Sequence, residues 1–496
     1  MSEKVVIIGG GLGGLTTGLI LQRNGYDVTV LDMGVQIGGC LQCFTRKGAK
    51  FETGMHFIGS AAPGQTMDRL FRYFGLSNDV KLSSLDNEAY NIVDLDGDKF
   101  RFPVGREAFI ERMGGYFPHQ KDAIVNYVAL VDKISKASNL NSFASDSRDM
   151  AIDAEYQTRA MDEVLSSLFT DPLAASVLAG DLPLYAARAG KTPFSQHAFI
   201  MDFYNNSAYR VVGGSDSIAL ALQRQIEDAG GRVLIRKKAV KIHCNDVKAT
   251  AVETQDGDIY GADWVVGAIH PKRLLELLDT RLIRPAFRSR IMSIPQSSAV
   301  FALYVSFKDG AMPYMNSNSF CYNAQTPWNC EDYTDSDWPK GFLYMHMCHE
   351  DGARWAKSGV VLSYMNMSEV LKWKGTPLGR RGQDYEDFKQ ERALRLMEAI
   401  EKHHPGFSAA VENWYTSTPL TYLDYTGAED GGMYGVAKDI SLGAAGRVPY
   451  RTKVPNLLPS GQNVHSHGIP GLIVGTLVTC SALLPPGRIY EQISRI

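Results

Sequence analysis

The strongest constraint on this fold lies at the start of the chain. Val5-Val6-Ile7-Ile8 runs directly into Gly9-Gly10-Gly11-Leu12-Gly13-Gly14. A short β-branched run suits a strand buried on both faces of a parallel sheet. Leu12, Leu15, Leu19 and Ile20 then recur at helical spacing as far as Gln22, Gly25 stops the helix, and Val28-Thr29-Val30-Leu31 forms a second strand. Strand, glycine turn, helix and strand make a βαβ-type unit with a right-handed crossover. Within the turn, G-x-G-x-x-G falls on Gly9, Gly11 and Gly14. Gly9 permits the tight turn, Gly11 lets a pyrophosphate reach the backbone, and Gly14 lets helix and strand pack closely. The helix N-terminus adds free N–H groups and a positive dipole end.

Asp32 closes the second strand. A carboxylate there accepts hydrogen bonds from both ribose hydroxyls of an adenosine and repels a phosphate on that ribose. The unit therefore selects FAD or NAD over NADP, and the motif alone does not separate the first two. No second dinucleotide fingerprint is legible. Gly213-Gly214 precedes a helix, but a weak strand stands before it and no acidic residue follows at a suitable distance. NAD(P)H as electron donor is left open, and the sequence names no donor.

At 496 residues the chain exceeds the roughly 250–300 residues that one core sustains, so at least two lobes are expected. Lys and Arg number 51 against 54 Asp and Glu, a balance that argues against nucleic acid as a partner. Seven cysteines, an odd count in a long chain, fit a reducing compartment better than a disulfide framework. Met1-Ser2-Glu3-Lys4 has none of the features of a secretory signal, and Ile469 to Leu484 is too short and too glycine-interrupted for a spanning helix. The expectation is a soluble, cytoplasmic protein, with peripheral contact at a membrane left open.

Residues 61–200 look mainly helical, with loops at Pro103, Pro118, Pro172 and Pro183. An α/β character returns over 209–270. Ser217 to Ala229 reads as a helix stopped by Gly230-Gly231, Arg232 to Val240 as a strand, and Lys248 to Thr254 with Ile259-Tyr260 as a hairpin. Trp264-Val265-Val266 reads as a further strand. Ser298 to Phe307 and Val360 to Met367 read as strands, and Asp384 to His403 as a charged amphipathic helix.

Further residues carry a resemblance. Gly38-Gly39-Cys40 and Phe51-Glu52-Thr53-Gly54-Met55-His56-Phe57-Ile58-Gly59 follow the opening unit. Leu457-Leu458-Pro459-Ser460-Gly461-Gln462-Asn463 and Gly468-Ile469-Pro470-Gly471 stand near the other end, with Thr418-Pro419-Leu420-Thr421 and Tyr434-Gly435 before them. Together they resemble the phytoene desaturase, carotenoid isomerase and retinol saturase family of flavin amine-oxidase-like oxidoreductases. The saturase branch is nearest, since Cys40 stands where many desaturases have Arg. The resemblance implies an α/β fold: a Rossmann-like FAD-binding domain with a substrate lobe of mixed sheet and helices. The FAD-binding domain would be discontinuous, from 1–60, 200–275 and 440–496. The substrate lobe would take a helical part, 61–199, and a sheet-containing part, 276–439.

The same resemblance implies FAD contacts from Gly9, Gly11, Gly14, Asp32, Gly38 and Gly39. It also implies them from Val240, whose backbone would read the adenine edge, and from Gly461 and Gln462. Gln462 stands where many relatives carry Asp. A helix starting near Gly471 would aim its N-terminus at the flavin pyrimidine. The implied activity is FAD-dependent oxidoreduction of a carbon–carbon double bond in an apolar, polyene or isoprenoid-like small molecule, in the saturase direction. The alternatives are a desaturase or cis–trans isomerase of the same fold, and a flavin-containing lipid-binding protein without turnover.

His56, Tyr434 and His465 are the candidate catalytic residues. His56 and Tyr434 are expected to line one cavity with the flavin ring, either able to supply a proton. Of His465 and His467, one is expected to face the flavin and the other to point away. Cys40 and Cys43 form a C-x-x-C pair without the partners that a metal or redox site needs, and no metal is expected. His403-His404 reads as a solvated pair at a helix end. Phe307, Tyr314, Phe320, Tyr322, Tyr344, Met345 and Met347 are candidate walls of a substrate tunnel.

Overall fold

The computed structural model describes residues 2–137 and 150–496. A parallel sheet of five strands is assembled from distant parts of the chain, in the order Arg232–Leu234, Asp27–Leu31, Lys4–Ile8, Trp264–Gly267 and Leu457–Pro459. Both faces are buried, as the β-branched strands require. Val5 and Ile7 pack with Leu15 and Leu19 of the helix Leu12–Arg23 and with Ile473 and Leu477 of the helix Gly468–Cys480. Val6 and Ile8 pack on the other side with Ile242, Val252 and Leu274.

The expected strand from Arg232 to Val240 is two strands. The first ends at Leu234, Arg236 turns the chain with a φ of +58°, and the second runs Ala239–Cys244. The Arg236 N–H bonds Gly34 O at 2.9 Å and the Lys237 N–H bonds Asp32 O at 2.7 Å. The chain thus peels away across the end of the Asp27 strand. It then founds a three-stranded antiparallel sheet with Ala249–Thr254 and Ile259–Gly261.

The second large sheet has seven strands, in the order Val411–Ser417, Val300–Phe307, Ser358–Tyr364, Gly341–His346, Asn318–Tyr322, Asn91–Leu95 and Asp98–Phe102. Its alternation is legible in one strand. Val300, Ala302 and Tyr304 join a core with the helices Lys121–Lys136 and Phe194–Asn206. Phe301, Leu303 and Val305 join a separate core under the helix Gln383–His403. The segment 61–199, read as helical, also supplies the strands Leu82–Ser84, Asn91–Leu95 and Asp98–Phe102, the last two extending this sheet. Its helix Thr66–Phe74 packs Leu70 and Phe71 into the core of the five-stranded sheet.

His403 and His404 are not solvated. The His403 side chain is 8% exposed, with Nδ1 2.9 Å from Asp94 Oδ2, and its ring packs edge-on to Phe342. His404 Nε2 lies 3.0 Å from Ser319 Oγ, over Tyr344. The two rings are covered because the sheet presents aromatic side chains beneath this end of the helix. Asp94, Cys321 and His403 come together here, with Lys99 Nζ 3.8 Å from the Asp94 carboxylate.

Burial depresses several histidines. His197 and His467 are held down at about 3, and His349 and His404 at about 4. These rings stay neutral when folded but take up protons in the unfolded chain below about 6.5. The stability they confer is complete above that pH and is lost as pH falls toward 4, each ring contributing up to about 1.4 kcal/mol per pH unit. Asp181, held up at about 7 by burial, acts in the opposite sense. Four rings outweigh one carboxyl, so the thermal midpoint should fall steadily from pH 6.5 to 4.5 in a scanning experiment. A flat or rising midpoint would show that these rings are not held neutral.

Candidate active site

Three glycine segments converge at the N-terminus of the helix Leu12–Arg23. Their individual demands differ. A side chain at Gly14 would place its Cβ 1.8 Å from Gly9 O, and one at Gly9, with φ +106°, would sit 2.7 Å from Ala268 O. Those two positions are fixed by packing between helix and strand. Gly11 is different: a Cβ there would meet only Gly39 Cα, at 3.8 Å. Gly39 faces it in turn, and Gly461, with φ +90°, would meet only Gly13 Cα at 3.8 Å. Gly38 N–H bonds Gly10 O at 2.8 Å, and Gly11 pairs with Gly38 as an isolated bridge. Backbone from three segments therefore surrounds open space at a helix N-terminus, the surroundings that a pyrophosphate requires.

Gln462, half-buried, follows Gly461 at the edge of this space. Asp32 stands beside it, with Oδ2 accepting from Gly10 N–H at 2.6 Å and Oδ1 from Gly34 N–H at 2.7 Å. Each oxygen keeps a further lone pair for a ribose hydroxyl. Val240 is 41% exposed and is the extra residue of a β-bulge, between the pairs Ala239–Thr254 and Lys241–Glu253. A bulge leaves its residue outside the ladder, so the Val240 backbone is available to a ligand.

The helix expected near Gly471 begins three residues earlier, as Gly468–Cys480, with His467 as its N-cap. Gly471 lies in its first turn, close against Ser466. This helix packs along the first one through Thr16 and Thr476, whose hydroxyls are 3.2 Å apart, and Thr17 Oγ1 lies 2.9 Å from Ser460 Oγ.

His56 is 8% exposed, and neither ring nitrogen has a hydrogen-bond partner. Its Nδ1 lies 3.6 Å from Glu52 Oε2, and Glu52 is held by the Ser215 N–H at 3.1 Å. Tyr434 stacks on His467 with ring centroids 4.4 Å apart and donates its hydroxyl to Pro183 O at 3.2 Å. His467 Nε2 lies 2.9 Å from Gln196 Nε2, which leaves Nδ1 buried and unpartnered. Phe57, next to His56, packs on Tyr204 at 4.8 Å, and Tyr204 lies near Tyr434. Tyr304, Tyr422 and Tyr434 lie near Cys40, in the loop beside the glycines. Burial among these rings raises all three phenols. His465, by contrast, is exposed. The histidine of this pair that meets Tyr434 is His467.

The expected tunnel wall does not assemble as one surface. Phe307 and Tyr344 belong to the core under the helix Gln383–His403, and Phe320, Tyr322 and Met345 to the opposite core. The two-residue period of the strands sends neighbours to opposite faces. The rings that gather near the glycine cradle are Phe44, Phe51 and Tyr304, in contact at 5.0–6.1 Å, with Tyr204, Tyr422 and Tyr434. Of these, only Tyr434 was singled out from the sequence. Phe51 opens the Phe51 to Gly59 stretch that carries the resemblance, while Phe44, Tyr204, Tyr304 and Tyr422 sit outside every such stretch.

A parallel sheet with a glycine cradle at the carboxyl ends of its strands, joined to a second sheet, defines a dinucleotide-dependent enzyme class. The comparisons narrow it. The model of the flavin containing amine oxidoreductase family matches residues 12–369, and the chain belongs to that family. The all-trans-retinol 13,14-reductase of Rattus norvegicus is 25% identical over 97% of this chain and 85% of its own length. Prolycopene isomerase 2, chloroplastic, from an Oncidium hybrid cultivar is 22% identical over 91% of this chain and 78% of its own. Among solved structures, an oxidoreductase from Methanosarcina mazei superposes with a TM-score of 0.65 at 15% identity, covering 96% of this chain and 99% of that one. This chain is therefore a flavin-containing oxidoreductase. The described residues fit such a group: the cradle at Gly11, Gly39 and Gly461 has room for a phosphate backbone, and His56 and His467 hold buried ring nitrogens without partners. Among the described residues no helix is long and apolar enough to cross a membrane.

Proposed function

We propose that this protein holds FAD non-covalently and reduces a carbon–carbon double bond of an apolar, polyene-like substrate. The observation that carries the reading is the aromatic group at the mouth of the glycine cradle. Tyr304, Tyr422 and Tyr434 lie near Cys40, with Tyr204 near Tyr434, and no lysine or arginine pairs with any of the four hydroxyls among the described residues. Such a lining suits an extended apolar molecule and keeps water out. Similarity to a 13,14-reductase over nearly the whole chain supports the same direction.

Gly11, Gly39 and Gly461 would seat the pyrophosphate, Asp32 the adenosine ribose, Val240 the adenine edge, and the N-terminus of Gly468–Cys480 the flavin ring. Gly9 and Gly14 hold the turn that shapes this seat. Gly38 carries the adjoining loop, and Gln462 would contact the flavin's phosphate or ribityl portion. Bound flavin supplies hydride transfer to or from carbon. The protein's own part is placement, exclusion of water and movement of one proton. His56 is the residue best placed to hold that proton, because its ring nitrogens are free and Glu52 stands behind it as a counter-charge. Tyr434, fixed by His467 and Pro183, orients the substrate and is the second proton source. His465 serves no such role while it faces solvent.

The test is anaerobic incubation of the photoreduced protein with a panel of polyenes, read by mass spectrometry. A gain of two hydrogens is the expected result. An unchanged mass with altered chromatographic retention would move the assignment to isomerisation, the reading that similarity to prolycopene isomerase favours. Unchanged substrates under both oxidising and reducing conditions would leave a flavin-containing carrier.

A further inference from the structure

We propose that Asp94, Cys321, His403 and His404 form a zinc site that fastens the end of the helix Gln383–His403 to the seven-stranded sheet. The backbone builds most of it. Asp94 and Cys321 are direct partners across a parallel strand pair, so their side chains leave the sheet on the same face. That face lies under the helix end, where the Phe342 ring meets His403 edge-on. An oxygen of Asp94, the sulfur of Cys321 and a ring nitrogen of His403 all lie within 4.8 Å of one another. His404 Nε2 stands 3.9 Å from Cys321 Sγ. No motif announces this grouping, since positions 94, 321 and 403 meet only in the folded chain.

Hydrogen bonding leaves the cluster incomplete. Asp94 is 1% exposed, and its Oδ1 accepts the Gly97 N–H at 2.9 Å. Its Oδ2 is buried with no hydrogen-bond partner, because His403 Nδ1, although 2.9 Å away, does not align as a donor. The other side of that ring accounts for its proton. Asn323 Nδ2 donates to Pro339 O at 2.8 Å, which turns Asn323 Oδ1 toward His403 Nε2, 3.3 Å away. An amide oxygen only accepts, so Nε2 carries the proton and Nδ1 of the neutral ring keeps its lone pair. A lone pair facing a carboxylate oxygen is repelled unless a cation lies between them. A hydrogen bond through the other ring nitrogen is also how a metal-ligating histidine is oriented. Lys99 Nζ, 3.8 Å from Oδ2, is too far to complete it and donates to His403 O at 3.2 Å.

The donor set selects the ion. A thiolate, imidazoles and a carboxylate oxygen suit tetrahedral zinc, at about 2.0–2.3 Å from the metal. Ligand atoms around such an ion stand about 3.3–3.6 Å apart. The separations present here span that range, so small side-chain rotations close the shell. On binding, Cys321 releases its proton to solvent, and the Asp94 and Cys321 anions balance the dication. Ser319 Oγ, 3.3 Å from Cys321 Sγ, can donate to the thiolate. The helix C-terminus adds its negative dipole end. Calcium and magnesium would demand more oxygen ligands.

The experiment takes the full chain as purified from zinc-supplemented medium, desalts it and counts metal by plasma mass spectrometry. About one zinc per chain is expected, as for a site of structural affinity. After chelation, titration with cobalt(II) should produce tetrahedral ligand-field bands at wavelengths longer than a flavin absorbs. Chelation should also lower the thermal midpoint, and zinc should restore it. Cys321→Ser, Asp94→Asn and His403→Gln should each lose zinc on desalting. Lys99→Met removes a half-exposed competing cation and should tighten cobalt binding about threefold or more. That variant decides the matter should the buried ones fail to fold. Parent chain without zinc and without cobalt bands would reduce the cluster to a His403–Asp94 ion pair and overturn the proposal. Zinc retained by all three ligand variants, or cobalt affinity unchanged in Lys99→Met, would overturn it as well.

Discussion

Gly11→Val should yield a folded protein that no longer retains flavin. The reasoning rests on the contrast within one motif. At Gly14 an added carbon would sit 1.8 Å from a backbone oxygen, so any side chain must drive the helix off the strand. At Gly11 the same carbon meets one backbone atom at 3.8 Å and otherwise enters open space. The backbone there has a φ of −75°, which every residue accommodates. A substitution at Gly11 thus leaves the scaffold intact and fills the room that a pyrophosphate needs. Gly11→Ala should weaken flavin binding and Gly11→Val should reduce it about a hundredfold or more, as for a lost anion seat of several kcal/mol. Gly14→Ala should instead lower the thermal midpoint sharply, an overpacking cost of about 3 kcal/mol or more. Flavin absorbance per chain, together with the melting curve of the flavin-free protein, separates the two. Parental flavin content in Gly11→Val would put the phosphate seat elsewhere.

His56→Phe combined with Tyr434→Phe should abolish turnover while flavin content stays at the parental level. His56 makes no hydrogen bond through either ring nitrogen, so its loss removes a proton source at the cost of one buried contact, Nδ1 to Glu52 Oε2 at 3.6 Å. Tyr434 loses one hydrogen bond to Pro183 O but keeps its stack on His467. Each single change should slow reduction about 10²-fold, the usual weight of one positioned acid, and the double variant should fall further. The readout is the rate of flavin reoxidation by the polyene under anaerobic conditions. Parental rates in the double variant would assign the proton to another group or to solvent.

Much of this architecture is visible in the chain before any coordinates. The strand Val5-Ile8, the glycine turn and Asp32 follow from local rules alone, because a buried parallel strand and a glycine-only turn tolerate few residue types. The break at Arg236 is not visible, since it depends on hydrogen bonds to Gly34 and Asp32, more than 200 positions earlier. Burial of His403 is hidden for the same reason. A charged helix end looks solvated until the sheet carrying Phe342 and Asp94 is placed beneath it. The aromatic residues of the seven-stranded sheet could not be sorted into pocket and core, because alternation assigns faces only once strand boundaries are known to the residue. His465 and His467 illustrate how sharp that limit is: two residues apart, one is exposed and the other buried against Tyr434.

The five-stranded sheet takes its last strand from Leu457–Pro459, and Thr17 meets Ser460 across 443 positions of sequence. During synthesis, then, the proposed nucleotide seat would lack its third wall until the segment around Gly461 has left the ribosome. The opening βαβ unit must wait with its glycines uncovered while both sheets are made, so a flavin seated as proposed would be captured late and would clasp two segments far apart in the sequence. Nicking or shortening the chain within Gly468–Cys480 would release that clasp at its far side, and a protease acting there would discharge the cofactor without touching the residues of the fingerprint itself.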